Sequence, residues 1–101
     1  RIFDGTVYVS RPVLFDSCTF VTDRVVLDHS YGAVFRNCCF ESRTGRLYIA
    51  GTGDGIILAD CDVTGCDEFR FSIKASASDR NYITGVKGEW TTRRGTRRMI
   101  R

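Results

Sequence analysis

The chain has 101 residues and a mass of 11.4 kDa, enough for one domain and too little for two independent cores. Its 43% hydrophobic, 27% charged and 12% aromatic residues can bury a core, which excludes a disordered acidic or low-complexity polymer. No stretch free of Asp, Glu, Lys and Arg exceeds about seven residues, which excludes a membrane helix of roughly 20 apolar residues, and the formal charge of +3 is concentrated near the C-terminal end.

In chain order, the first predicted strand carries Val7 and Val9, and the segment Val13-Leu14-Phe15-Asp16-Ser17-Cys18-Thr19-Phe20 follows it. Twenty residues on, after a strand with Leu27 and His29, the segment returns as Ala33-Val34-Phe35-Arg36-Asn37-Cys38-Cys39-Phe40. A strand with Leu47 and Ile49 precedes the third copy, Ile56-Ile57-Leu58-Ala59-Asp60-Cys61-Asp62-Val63. Phe71 and Ile73 precede a fourth, degenerate copy, Asn81-Tyr82-Ile83-Thr84-Gly85-Val86-Lys87-Gly88. A repeat at a nearly fixed period is the mark of a coil stacked on itself, each rung too small to bury its apolar face alone.

Two apolar columns run through the copies, Phe15, Phe35, Leu58, Ile83 and Cys18, Cys38, Cys61, Val86. They are three residues apart, which a straight strand of period two cannot place on one face. A sharp corner must intervene at Ser17, Asn37, Asp60 and Gly85, and Asn, Asp and Gly are the types that enter the left-handed region most readily. Each rung is then three short strands. The pattern predicts an all-β, right-handed, single-stranded parallel β-helix of about four rungs of 20–25 residues over 1–90, a stub roughly 15–20 Å tall at a strand spacing of about 4.8 Å. Residues 91–101 read as a basic tail or the start of a further rung. A leucine-rich repeat lacks its leucine-asparagine signature and helical half here, and a β-sandwich does not account for the equal columns.

The rungs Phe15-Asp-Ser-Cys-Thr-Phe20 and Phe35-Arg-Asn-Cys-Cys-Phe40 resemble those of right-handed parallel β-helix proteins of the pectate-lyase-like superfamily, over roughly residues 6–90. The resemblance implies a substrate groove along the outer face of the first sheet and an extracellular or cell-surface setting. It does not choose among lyases, hydrolases, viral tailspikes and adhesins, because one fold carries many functions.

Inward placement makes Cys18, Cys38 and Cys61 stacked apolar fillers, although adjacent rungs also bring Cys18 and Cys38 within disulfide range. No Cys-x-x-Cys pair stands for zinc, and no metal or cofactor is expected; calcium is weighed only at Asp54, or at Asp67 with Glu68. The same parity turns Leu14, Val34, Ile57 and Tyr82 outward as a contact stripe for another β-helix segment or subunit. With open strands at both ends of the coil, a fragment of a longer solenoid or an assembling chain is expected, in keeping with a sequence that opens on Arg1 and has its only methionine at Met99.

On the first sheet a twenty-residue alignment puts Tyr8, Asp28, Tyr48 and Ser72 in one outward column, with Arg46, Arg70 and Lys74 beside it. Tyrosine faces pack on sugar rings and Arg or Lys holds a uronate carboxylate. The expected site therefore has Asp28, Arg70 and Lys74 in catalytic roles, with Arg70 or Lys74 as the base of a β-elimination, and Tyr8, Tyr48 and Arg46 binding an acidic polysaccharide. The same residues also suit an ordinary solvated β face. Hydrolysis needs two carboxyl groups about 5–9.5 Å apart, and Asp60, a corner residue, and Asp62, on another sheet from Asp54, do not supply them. His29 is expected inward, Gly51–Gly55 is expected as a loop insertion, and Trp90 suits a cap, a next rung or a sugar platform. The cluster Arg93, Arg94, Arg97, Arg98 and Arg101 suits an anion or a solvated end, and no nucleic-acid motif accompanies it. A structural or adhesive β-helix that self-associates is the competing function.

Overall fold

The computed structural model describes residues 1–74, 82–92 and 95–98. These form the strands β1 (Ile2–Asp4), β2 (Val7–Val9), β3 (Leu14–Asp16), β4 (Thr19–Val21), β5 (Arg24–Tyr31), β6 (Val34–Arg36), β7 (Cys39–Glu41), β8 (Arg46–Asp54), β9 (Ile57–Ala59), β10 (Asp62–Gly65), β11 (Glu68–Lys74), β12 (Tyr82–Thr84), β13 (Glu89–Thr92) and β14 (Gly95–Arg98). No helix occurs among the described residues. The first sheet has the order β14-β13-β11-β8-β5-β2, the second β12-β9-β6-β3 and the third β1-β4-β7-β10. All neighbours pair in parallel except β13 and β14. The chain is thus a parallel β-solenoid of about three turns, the rise between the first and last of four stacked strands.

The corners are where the residue types place them. Ser17, Asn37 and Asp60 have φ of 58°, 54° and 54°, and Gly85 has 63°. The first three corner amides are used by the next rung: Ser17 N–H donates to Arg36 O at 2.9 Å, Asn37 N–H to Ala59 O at 3.0 Å and Asp60 N–H to Thr84 O at 2.9 Å. A left-handed residue costs backbone energy, and the saved amide hydrogen bond offsets part of that cost. Phe15, Phe35, Leu58 and Ile83 pair in register along the second sheet. Inside, Phe3, Phe20 and Phe40 stack at 5.1 and 5.0 Å, Phe15 stacks on Phe35 at 5.0 Å, and Phe15 meets Phe20 edge-on at 80°. Offset stacking along the axis and edge-to-face contact across it are the arrangements that aromatic quadrupoles favour.

The first sheet has the expected face but a different register. Val7 pairs with Val25, Val25 with Ile49 and Ile49 with Phe71, whereas the twenty-residue alignment sets Val7 beside Leu27 and Leu47. A slip of two residues leaves inward side chains inward, so period-two patterning cannot detect it. Buried Thr22 fixes the start of β5, since its Oγ1 accepts from Arg24 N–H at 3.0 Å and donates to Arg24 O at 2.9 Å.

His29 lies outside the barrel, contrary to its expected inward place. Between the pairs Leu27–Gly51 and Ser30–Gly53, β5 uses one residue more than β8, and His29 takes φ of 50° at this bulge. The extra residue reverses the alternation, so that Ser30 becomes the fully buried one. Gly51–Asp54 is strand rather than loop, and both its glycines face the bulge: a Cβ on Gly51 would overlap the Leu27 carbonyl, and one on Gly53 that of Ser30. At the far end Trp90 on β13 is buried, which removes it as a sugar platform, and β14 runs back antiparallel to β13. Asn81, Arg93, Arg94 and Arg101 lie outside the described residues.

Candidate functional site: the outer face of the first sheet

The outward residues of the first sheet form columns that cross the strands. Arg24, Tyr48 and Arg70 stand side by side on β5, β8 and β11. Two residues further along the strands come Tyr8, Val26, Ala50 and Ser72. Two residues before the first column, Arg46 pairs with Glu68. Arg24 and Arg70 are exposed and Tyr48 between them is half-buried. Strand spacing of about 4.8 Å sets the two arginine backbones roughly 10 Å apart, with one ring between them.

Glu68 organises the margin. Its Oε2 accepts from Tyr48 Oη at 3.4 Å, and its Oε1 lies 3.8 Å from Arg46 Nε. The carboxylate holds the Tyr48 hydroxyl at one side of the column and partly neutralises Arg46. Neither Arg24 nor Arg70 is in an ion pair of that kind among the described residues.

The expected site residues divide into two groups. Tyr48 and Arg70 are direct neighbours, and Arg46 lies at the same end of the sheet. Asp28 lies four residues beyond Arg24 on β5, roughly 13 Å along the strand, and is not flanked by Tyr8 and Tyr48. Its Oδ1 instead meets His29 Nδ1 at 2.8 Å, both side chains being about three-quarters exposed. His29 N–H donates to Thr52 Oγ1 at 2.9 Å, and Thr52 pairs with Lys74, so Lys74 and Asp28 share the other end of the strands. Tyr8 is 76% exposed on β2 at the edge of the sheet. No protein-family model, curated protein or solved structure matches this chain.

Arg24 was not visible as a site residue from the repeat, because the twenty-residue alignment places no first-sheet strand at that position. The local sign was Thr22-Asp23 ahead of Arg24-Val25-Val26-Leu27, a turn-forming polar pair leading into a β-branched run. For cations, no group of three or more His, Cys, Asp or Glu side chains converges among the described residues. Of the carboxylates weighed for calcium, Glu68 is committed to Tyr48 and Arg46.

Elsewhere on the surface, Leu14, Val34, Ile57 and Tyr82 form one in-register outward column on the second sheet, 55% exposed at Leu14 and 59% at Tyr82. Beside it the Arg36 guanidinium donates to Asp16 Oδ2 at 2.6 Å.

Proposed function

We propose that this solenoid binds an acidic polysaccharide along the outer face of its first sheet, and that it is a segment of a pectate-lyase-like β-helix working outside the cell or at its surface. The observation that carries the proposal is the ladder Arg24–Tyr48–Arg70, two exposed arginines on the strands either side of a half-buried tyrosine, in strict backbone register. Guanidinium binds a carboxylate through paired, charge-assisted hydrogen bonds, and a tyrosine ring packs on the apolar face of a pyranose. A glycan lying along the solenoid axis crosses all three side chains. Binding is favoured over cleavage because the residues proposed for β-elimination are split, with Arg70 at one end of the strands and Asp28 and Lys74 at the other. If a reaction occurs, it is lyase-type elimination on a uronate rather than hydrolysis.

Glycan titration tests this. A polyuronate, a sulfated glycan and a neutral glucan are titrated against the chain at low salt, with ultraviolet absorbance followed for an unsaturated uronate product. Retention of the acidic polymers alone is expected. Equal affinity for the neutral glucan, or none for any of them, overturns the proposal, and an unsaturated product moves it from binding to lyase.

A second reading is favoured by the column Leu14, Val34, Ile57 and Tyr82, a contiguous apolar stripe exposed at its two ends and half-buried between them. On that reading the chain is a structural or adhesive β-helix whose partner is another β-helix segment or subunit. Sedimentation velocity of the chain and of an Ile57→Lys variant distinguishes it: association that the lysine abolishes supports it, and a monomer at all concentrations removes it.

A further inference from the structure

Cys18, Cys38 and Cys61 occupy the same corner in three successive rungs, each one residue after a left-handed corner residue. All three are buried and carry free thiols. The backbone fixes their spacing. Asn37 N–H donates to Ala59 O at 3.0 Å and Asp62 N–H to Cys38 O at 2.9 Å, which sets Cys38 and Cys61 opposite each other in a parallel ladder. Neighbouring Cα atoms are then about 4.8 Å apart, inside the roughly 4.4–6.8 Å window of protein disulfides.

The thiols are not equivalent. Cys18 Sγ donates to its own strand, at Asp16 O, 3.5 Å away. Cys38 Sγ and Cys61 Sγ likewise reach their own strands, at Arg36 O and Ala59 O, but they also reach the carbonyls of Phe15 at 3.4 Å and Phe35 at 3.3 Å in the preceding rung. The neighbouring Cys61 thiol holds Cys38 below the ordinary thiol value, at about 7, and the Cys38 sulfur together with burial pushes Cys61 up. Within the stack, therefore, each of these sulfurs has a thiol of the adjacent rung opposite it, which can resolve it once oxidised.

We propose that Cys38 and Cys61 form an inter-rung disulfide site, closed by a peroxide. The Cys38 thiolate attacks one peroxide oxygen and breaks the O–O bond. The departing hydroxide takes a proton and leaves as water, giving Cys38 sulfenic acid. The Cys61 sulfur then attacks Cys38 Sγ, the S–O bond breaks, and the second oxygen leaves as water with the Cys61 proton. Two thiols and one hydrogen peroxide become one disulfide and two waters. The link joins the second and third rungs through the core, so it opposes separation of the stack between them. Because Cys38 is only 1% exposed, the reaction proceeds through local opening of the corner and is slow compared with that of a surface thiol.

The test uses the full chain and, in parallel, a Cys39→Ser/Cys66→Ser chain that lacks the exposed and the half-buried thiol. Both are incubated with hydrogen peroxide, alkylated in denaturant and mapped by mass spectrometry. In the double variant the expected result is loss of two hydrogens, a Cys38–Cys61 cross-linked peptide at least tenfold over any Cys18–Cys38 species, alkylated Cys18, and a thermal midpoint raised in a way that a thiol reductant reverses. Three alkylatable thiols after oxidation, a preference for Cys18–Cys38, or Cys38 sulfinic acid in place of the cross-link overturns it. If the double variant fails to fold, the cross-linked peptide is sought in the full chain, with the same outcomes deciding.

Discussion

Asn37 and Asp60 sit one above the other at a corner of the solenoid with the same φ of 54°, and Asn37 N–H bonds the residue preceding Asp60. The left-handed conformation costs an ordinary side chain about 1–2 kcal/mol, less for Asn or Asp, and a β-branched residue more. Asn37→Gly is therefore expected to hold stability within about 1 kcal/mol, and Asn37→Val to lose about 1–3 kcal/mol. Urea unfolding midpoints of the two variants check this. Equal midpoints would mean that the corner conformation is not what selects the residue.

Glycine serves a different purpose at Gly51. Its φ of 135° is unusual for any other residue, and its Cβ position is occupied by the Leu27 carbonyl on the bulged neighbour strand. Gly5 also has positive φ, 101°, but open space where a Cβ would be. Gly51→Ala is expected to cost several kcal/mol, since the β5–β8 ladder has to move, and Gly5→Ala about 1–3 kcal/mol from backbone strain alone. Denaturant midpoints rank the pair, and a Gly5→Ala loss as large as that of Gly51→Ala contradicts the close-approach account.

The contrast between corner and bulge also explains how far the sequence could be read. Ser17, Asn37, Asp60 and Gly85 recur at fixed distances from large apolar residues, so the corners and the second-sheet register were both legible. The first sheet offers only alternation, and alternation is blind to a shift of two, so the repeat sets Val7 beside Leu27 although it pairs with Val25. His29 departs from its expected inward place for a related reason: one extra residue in β5 inverts the pattern, and the bare backbone of Gly51 and Gly53 that accommodates it lies on another rung. The site inherited that error. Tyr48 and Arg70 are neighbours on the face where the sequence sets them, Arg24 joins that column unannounced, and Asp28 does not flank the tyrosines that the twenty-residue alignment gives it.

Acid should weaken the stack in a defined window. The Arg43 guanidinium bonds Asp4 through both nitrogens, at 2.8 and 2.9 Å, and Arg36 bonds Asp16, so both carboxyls are held below their ordinary value of 3.8. A carboxyl depressed in the folded state contributes stability that is fully present above its unfolded pKa and lost as pH falls through the folded one. Stability is therefore expected to be flat with respect to these groups near neutral pH and to fall below 3.8. Asp4→Asn and Asp16→Asn should each flatten the acid limb of a pH series of urea midpoints. An unchanged acid limb in both variants would show that other carboxyls control it.

Binding should depend on the ladder in a graded way. Each charge-assisted hydrogen bond to an exposed carboxylate is worth at most about 1.5–3 kcal/mol, and screening reduces it, so Arg24→Ala and Arg70→Ala are each expected to weaken polyuronate binding about tenfold. Arg46→Ala should matter less, because Glu68 already neutralises part of its charge. Tyr48→Phe keeps the ring and loses only the hydroxyl bond to Glu68, whereas Tyr48→Ala removes the stacking surface. The expected order of loss is thus Tyr48→Ala and the two ladder arginines first, then Arg46→Ala, then Tyr48→Phe. Affinity should fall steeply as salt rises, since exposed charges separated by more than about 8 Å are screened at physiological ionic strength. Isothermal titration across salt concentrations reads both effects. If Arg46→Ala proves as damaging as Arg70→Ala, the polymer crosses the sheet at a different column, and the in-register ladder is not its track.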